Sequence, residues 1–237
     1  MGLPINAAPI YNLTVPSTGK QLKFRPFLIK DEKALLIAQQ SEDPVVMLDS
    51  LKQVIKSCTM DSINFNDLSS FDLEYIFIQL RSKSVGEVVE LLLHCDTCTD
   101  EKAVSKVMID LTKIEVEKST EHNPKIDLYD DVGVMMKYPT MEIIQRLESL
   151  DKSDIDSAFN IIVECIDYIF TDTEVFHAKE QTKSELLEFL NNLTSDQFMK
   201  IQKFFDTMPK LSKSIEYNCP VCGKHHEKVL EGLNSFF

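Results

Sequence analysis

The sequence predicts an α+β fold: a helical bundle with short β-hairpins and a zinc-ribbon-like module formed by two distant cysteine knuckles. Three observations carry that expectation. Period-two alternation flanks turn residues near both ends of the chain, and apolar residues recur at three- and four-residue spacing between them. Two Cys-x-x-Cys pairs, Cys95/Cys98 and Cys219/Cys222, each sit between strand-like segments. The element order runs hairpin, helices, strands, helices, strands, without the regular alternation of a parallel α/β sheet.

Leu13 and Val15, then Leu22 and Phe24, alternate with polar neighbours on either side of Pro16-Ser17-Thr18-Gly19-Lys20, which reads as a β-hairpin. Asp43 is suited to cap a helix that has Pro44 at its first position. Val46, Leu48, Leu51, Val54, Ile55 and Cys58 form its apolar stripe. A second helix is expected from about Leu68 to Ser82, with Phe71, Leu73, Ile76, Phe77 and Leu80 facing inward. From Val85 to Val116 the pattern reads as strand, tight turn, strand, although Val85, Val88, Val89 and Leu92 also fit a short helix. Residues 117–131 are rich in Glu, Asp and Lys and read as a solvated loop, with a short strand at Val132–Met136.

The clearest helical block has Ile155, Ala158, Phe159, Ile162, Ile166 and Ile169 at helical spacing, with Ser153 placed to cap it. Thr182 with Glu185, and Thr194 with Gln197, match the capping box, in which side chain and backbone satisfy each other at a helix start. Met208-Pro209 closes the last helix, and β-like residues 215–219 and 228–230 follow. The expected organisation is therefore a hairpin with helices over 1–84, a ribbon-like module from 85–116 and 211–237, and a mainly helical insertion over 117–210.

Composition narrows the function classes. Among 237 residues, 25 are basic and 38 acidic, a net charge of −13. Nucleic acid and anionic membranes capture proteins through clustered Lys and Arg, so neither is an expected partner. The first ten residues lack a basic segment followed by an apolar run, and no stretch has the length of a membrane helix. The expected location is a cytoplasm, where the 6 cysteines remain thiols that bind metal or lie buried. No nucleophile elbow, phosphate-binding Gly loop or His-Glu-x-x-His motif is present, and no catalytic residue is assigned.

The cysteine spacing is the most informative chemistry. Two intervening residues let both thiolates of a pair approach one ion from a tight turn, and two such turns complete the tetrahedral sulfur set that zinc prefers. Cys95, Cys98, Cys219 and Cys222 are the expected ligands of one structural zinc ion. In Cys219-Pro220-Val221-Cys222-Gly223, proline shapes the turn and glycine accepts an unusual backbone angle; Thr99 takes the glycine's place in the first copy. Alternatives are four unrelated thiols or a redox pair, but neither motif opens an amphipathic helix that would activate a thiol. His94, His225 and His226 adjoin the motifs, and one of them could replace a ligand. Cys58 and Cys165 read as core residues, and His122 and His177 have no evident partner.

Leu3-Pro4 through Pro16-Ser17-Thr18-Gly19-Lys20, the segment Phe24-Arg25-Pro26-Phe27-Leu28-Ile29-Lys30-Asp31-Glu32-Lys33, and the ending from Cys219 to Leu230-Glu231-Gly232-Leu233-Asn234-Ser235-Phe236-Phe237 together resemble the baseplate hub assembly proteins of T-even-type tailed phages. The resemblance implies a non-enzymatic assembly factor or minor hub component that binds phage hub and tail proteins in the host cytoplasm, with the tail baseplate as a second location. A zinc-stabilised protein-binding adaptor and a Cys-x-x-Cys thiol oxidoreductase are the competing functions. The apolar ends, residues 1–10 and Leu233–Phe237, are expected either to contact partners or to pack back on their own domain.

Overall fold

Local backbone chemistry fixes where most elements begin. The computed structural model describes residues 8–98, 100–149 and 155–236, so residues 1–7, Thr99, the cap expected at Ser153, and Phe237 lie outside the described residues. The protein mixes helix and sheet, with seven α-helices and four small sheets among the described residues. It divides into two units, Met1–Glu117 with Lys210–Phe237, and Lys118–Pro209.

In the first unit, β1 (Tyr11–Thr14) and β2 (Gln21–Phe24) form the expected hairpin, with Leu13 opposite Leu22. Helix α1 (Ile29–Gln40) follows, where periodicity indicated none. Its pattern is mixed: Ile29, Leu36 and Ile37 are exposed, while Ala38 is buried together with Asp31, which pairs with Arg25 at 2.7 Å. Burial pushes the Asp31 carboxyl up, but the Arg25 contact and the Leu28 N–H more than offset this and hold it below its ordinary range. Helix α2 (Pro44–Cys58) starts as expected, with the Val45 N–H donating to Asp43 Oδ1 at 2.8 Å. Leu48, Leu51, Val54, Ile55 and Cys58 are buried, whereas Val46 is not.

Helix α3 (Ser70–Ser84) starts two residues later than expected, because Ser69 is its cap and Asp72 completes the capping box. The buried Asp72 carboxylate also accepts the Ser17 N–H at 2.9 Å and the Ser17 hydroxyl, which docks the β1–β2 turn on the start of α3. Phe71, Leu73, Ile76, Phe77, Ile78 and Leu80 are all buried, so α3 is covered on nearly every side, as a central helix must be. The strand-or-helix ambiguity after it resolves as strand: β3 (Val88–His94) pairs antiparallel with β4 (Val104–Asp110) over their full lengths. Strand β5 (Glu115–Glu117) then leads out of this unit.

The second unit corrects two expectations. Residues 117–131 are not a loop throughout: β6 (Lys125–Tyr129) alternates, burying Ile126 and Leu128 while its charged side chains face solvent. It pairs with the expected β7 (Val132–Met136). After α4 (Met141–Ser149), the helical block ends early, because α5 (Ile155–Glu164) gives way to β8 (Ile166–Phe170), so Ile166 and Ile169 are strand residues. Strand β9 (Val175–His177) completes the antiparallel order β6-β7-β8-β9, and the segment expected to be mainly helical therefore carries a four-stranded sheet. Helices α6 (Lys183–Asn191) and α7 (Ser195–Thr207) begin at the two anticipated capping boxes, on Thr182 and Thr194. They cover the sheet with Leu186, Leu190, Ile201 and Phe204, against Val134, Met136 and Ile166. Burial of each such side chain contributes about 1.5–3 kcal/mol.

His122 has partners after all. Its Nδ1 lies 3.1 Å from Thr207 Oγ1 and its Nε2 3.0 Å from Tyr138 Oη, and its ring stacks on Tyr138.

The chain returns to the first unit at β10 (Lys210–Asn218), which pairs with β5 on one side and β11 (His225–Glu231) on the other. Ile78, Leu91, Leu93, Ile109, Leu111, Leu211, Ile215, Tyr217 and Leu230 form the core beneath these strands. Leu233, in the C-terminal segment, packs back on that core. No helix among the described residues is long and apolar enough to cross a membrane.

Two outcomes follow from the second unit. Gly133 sits opposite Phe170 across β7 and β8, and an added Cβ would meet the Phe170 ring and lie 2.7 Å from the Ile126 carbonyl oxygen. Gly133→Ala is expected to lower stability by about 1–3 kcal/mol, read as a reduced thermal midpoint, as overpacking does. Burial holds the His122 imidazole below its ordinary value of 6.5, so its proton is disfavoured in the folded state. Its contribution is present above pH 6.5 and lost as pH falls below it. Thermal unfolding between pH 7 and 5 should therefore show a declining midpoint, with a shallower decline in His122→Phe.

Candidate metal centre

The four expected cysteines sit at the ends of two hairpins. The β3–β4 turn carries Cys95 and Cys98, and the β10–β11 turn carries Cys219 and Cys222. Each turn is closed by backbone bonds: Cys95 N–H to the Ala103 carbonyl at 2.9 Å, and Cys219 N–H to the Lys224 carbonyl at 2.9 Å. In the second turn the Gly223 N–H also donates to the Cys219 carbonyl at 3.0 Å. Gly223 has φ +72°, the left-handed conformation its position was expected to require.

The structure brings all four sulfurs together. Their Sγ atoms lie within 4.8 Å of one another, with Cys98 to Cys219 at 3.8 Å and Cys95 to Cys222 at 3.9 Å. A disulfide needs about 2.05 Å, so these are separate thiols. A tetrahedron of sulfurs about 2.3 Å from a central ion has edges of about 3.8 Å, so the closest pairs already have the spacing such an ion requires. The residues present fit a metal ion. Cys95 and Cys219 are buried, Cys98 is partly covered and Cys222 is exposed, so the cluster lies just beneath the surface.

The electrostatics of the group are those of crowded thiols. Hydrogen bonds from the Thr97 side chain and backbone bring the Cys95 thiol down to about 5. The Cys98 thiol is pushed up to about 12, first by its contact with Cys222 and then by burial. The backbone at Lys224 lowers Cys222. Four neighbouring thiolates repel one another, and a bound cation would remove that penalty. At Cys219, the N–H groups of Val221 and Cys222 point at the sulfur from 3.4 and 3.5 Å.

Of the neighbouring histidines, only His226 reaches the cluster, with Nε2 3.2 Å from Cys95 Sγ. His225 instead lies 3.1 Å from Asn218 Oδ1, and the His94 carbonyl accepts the Tyr217 hydroxyl at 3.4 Å. Sequence adjacency flagged all three alike; only the strand register separates them. Cys58 and Cys165 lie elsewhere and are fully buried, and burial raises their thiols to about 11 and about 12. Both are core residues.

Residues 8–237 match the family described as T4 bacteriophage base plate protein. The chain belongs to this family. The Baseplate hub assembly protein gp26 of Enterobacteria phage T4 is 24% identical over 227 residues, covering 96% of this chain and 97% of that protein. No solved structure matches the chain. The match to this T4 baseplate family includes both hairpins and the whole of the second unit.

The four cysteines could hold a metal ion, and stability then depends on it. An ion bound at about 1,000 times its Kd adds about 4 kcal/mol to stability. Thermal unfolding of the purified chain should shift to lower temperature on adding a thiophilic chelator. Cys222→Ser should start lower and lose the chelator response, while Cys165→Ser should keep it. A chelator response unchanged in Cys222→Ser would remove this cysteine from the site.

Proposed function

We propose that this protein is a non-enzymatic assembly factor, or minor structural component, of the baseplate hub of a contractile-tail phage. It acts by binding hub subunits in the host cytoplasm, with the tail baseplate as its place in the particle if it is retained there. The observation that carries this reading is the near full-length match to the baseplate family together with the relative named for hub assembly. The proposed work is steric and cohesive: the protein covers a self-associating surface on a hub subunit, or holds subunits in their correct arrangement.

We further propose that Cys95, Cys98, Cys219 and Cys222 hold one structural zinc ion. Support comes from the donor set and the sulfur spacing, since soft thiolates at tetrahedral separation favour zinc. Four thiolate ligands leave no open coordination position for a water, so the ion would serve cohesion rather than hydrolysis. It would join the β3–β4 and β10–β11 hairpins into one ribbon-like module, and its binding energy would count as folding energy.

The test is affinity capture of the tagged chain from infected cells, with partners identified by mass spectrometry and metal measured on the same material. The expected result is recovery of phage hub and tail proteins with one zinc per chain. Recovery of host proteins alone would favour the adaptor reading. Insulin reduction by the metal-free protein at rates approaching a thioredoxin's would favour the oxidoreductase reading.

A further inference from the structure

His226 stands out as a buried polar residue next to the cysteine cluster that is not itself one of the four sulfurs. It lies on the inner face of β11, is 8% exposed, and is directly opposite Tyr217 in the β10–β11 register. The two rings stack at 5.0 Å with planes 13° apart, which fixes the imidazole's orientation. That orientation delivers Nε2 to 3.2 Å from Cys95 Sγ. An ordinary core position here would suit an apolar side chain, since Leu230 is the other buried residue of the strand.

A thiolate sulfur only accepts hydrogen bonds, so the nitrogen facing it must carry the hydrogen. We propose that His226 is a positioning residue of the metal centre: its Nε2–H donates to Cys95 Sγ and holds that thiolate in place, without ligating the ion. This rests on the zinc reading above. The four sulfurs already supply a complete tetrahedral set, so the imidazole has no coordination position to fill. The two buried sulfurs are thereby served differently. Cys219 receives backbone N–H groups of its own turn, whereas Cys95, besides Thr97 of its own turn with Oγ1 at 3.2 Å, receives a side chain from the opposite hairpin. His226 thus links the two knuckles directly at a sulfur, in addition to the ion and to the Tyr217–His94 contact beside them.

Outer contacts of this kind typically change metal affinity by about 10–100-fold when removed. The experiment measures zinc affinity of the full chain by competition with a chromophoric chelator, for the unaltered protein and for H226F, H226Q and H226N. H226F keeps the aromatic stack and loses the donor; H226Q places an amide N–H near the position of Nε2; H226N withdraws it. The expected result is binding weakened about 10–100-fold in H226F and H226N, and restored to within about threefold in H226Q. If H226F does not fold, H226N against H226Q gives the same comparison. Cobalt substitution supplies the second readout, with a four-thiolate spectrum expected for the unaltered chain and for each folded variant. Unaltered affinity in H226N, or a three-thiolate, one-nitrogen cobalt spectrum that is lost in the variants, overturns the proposal. Absence of stoichiometric zinc from the unaltered chain would instead overturn the zinc reading on which it rests.

Discussion

Strand β10 is the constraint on which the first unit depends. It pairs with β5 at Leu211 opposite Val116, and with β11 from Ser212 to Asn218. It supplies Leu211, Ile215 and Tyr217 to the core and runs directly into Cys219. One strand therefore closes the point where the chain leaves and returns, completes the core and delivers half of the sulfur set. Side chains alternate along a strand, so a slip of one residue would turn those core residues outward. The same slip would displace Cys219 from Cys98 and His226 from Cys95.

The two units solve the burial problem differently. The second has a sheet covered by helices, with large side chains such as Ile201 and Phe204 fully enclosed. The tips of the two cysteine-bearing hairpins, β3–β4 and β10–β11, have far less to bury. There, Cys95, Ala103 and Cys219 form a cluster of small side chains with Cys98 beside it. Isolated two-stranded hairpins are marginal in water. A shared ion is an economical way to hold such tips together, which is the physical logic behind the proposed zinc.

How much of this was legible depended on whether the determining contact is local. Capping at Asp43, Thr182 and Thr194 involves residues two or three apart, and the structure has all three caps. The cysteine knuckles were legible for the same reason. Helix α1 was not, because one of its buried anchors is the charged Asp31, held by Arg25 and by Ser57 from α2, while Ile29, Leu36 and Ile37 face outward. Ile166 and Ile169 continue the spacing of α5, yet the Cys165 N–H bonds to the Ile162 carbonyl at 3.0 Å and the chain then joins β7 as a strand. Strand β6 was hidden by its charged face, although Ile126 and Leu128 alternate. The contact between His226 and Cys95 spans 131 residues and exists only through strand register, which sequence spacing cannot express.

The long separation of the knuckles also has a consequence in time. Cys98 and Cys219 are 121 residues apart, so at ribosomal rates of roughly 5–20 residues per second the first pair of thiols is made roughly 6–24 s before the second. The second unit lies between them and can fold from its own contacts during that interval. The β3–β4 hairpin meanwhile carries an incomplete sulfur set beside a growing chain. Synthesis of β10 ends that interval, because the strand can pair with β5 before its own tip is complete. The protein's most distant contacts are thus also the last that its synthesis permits.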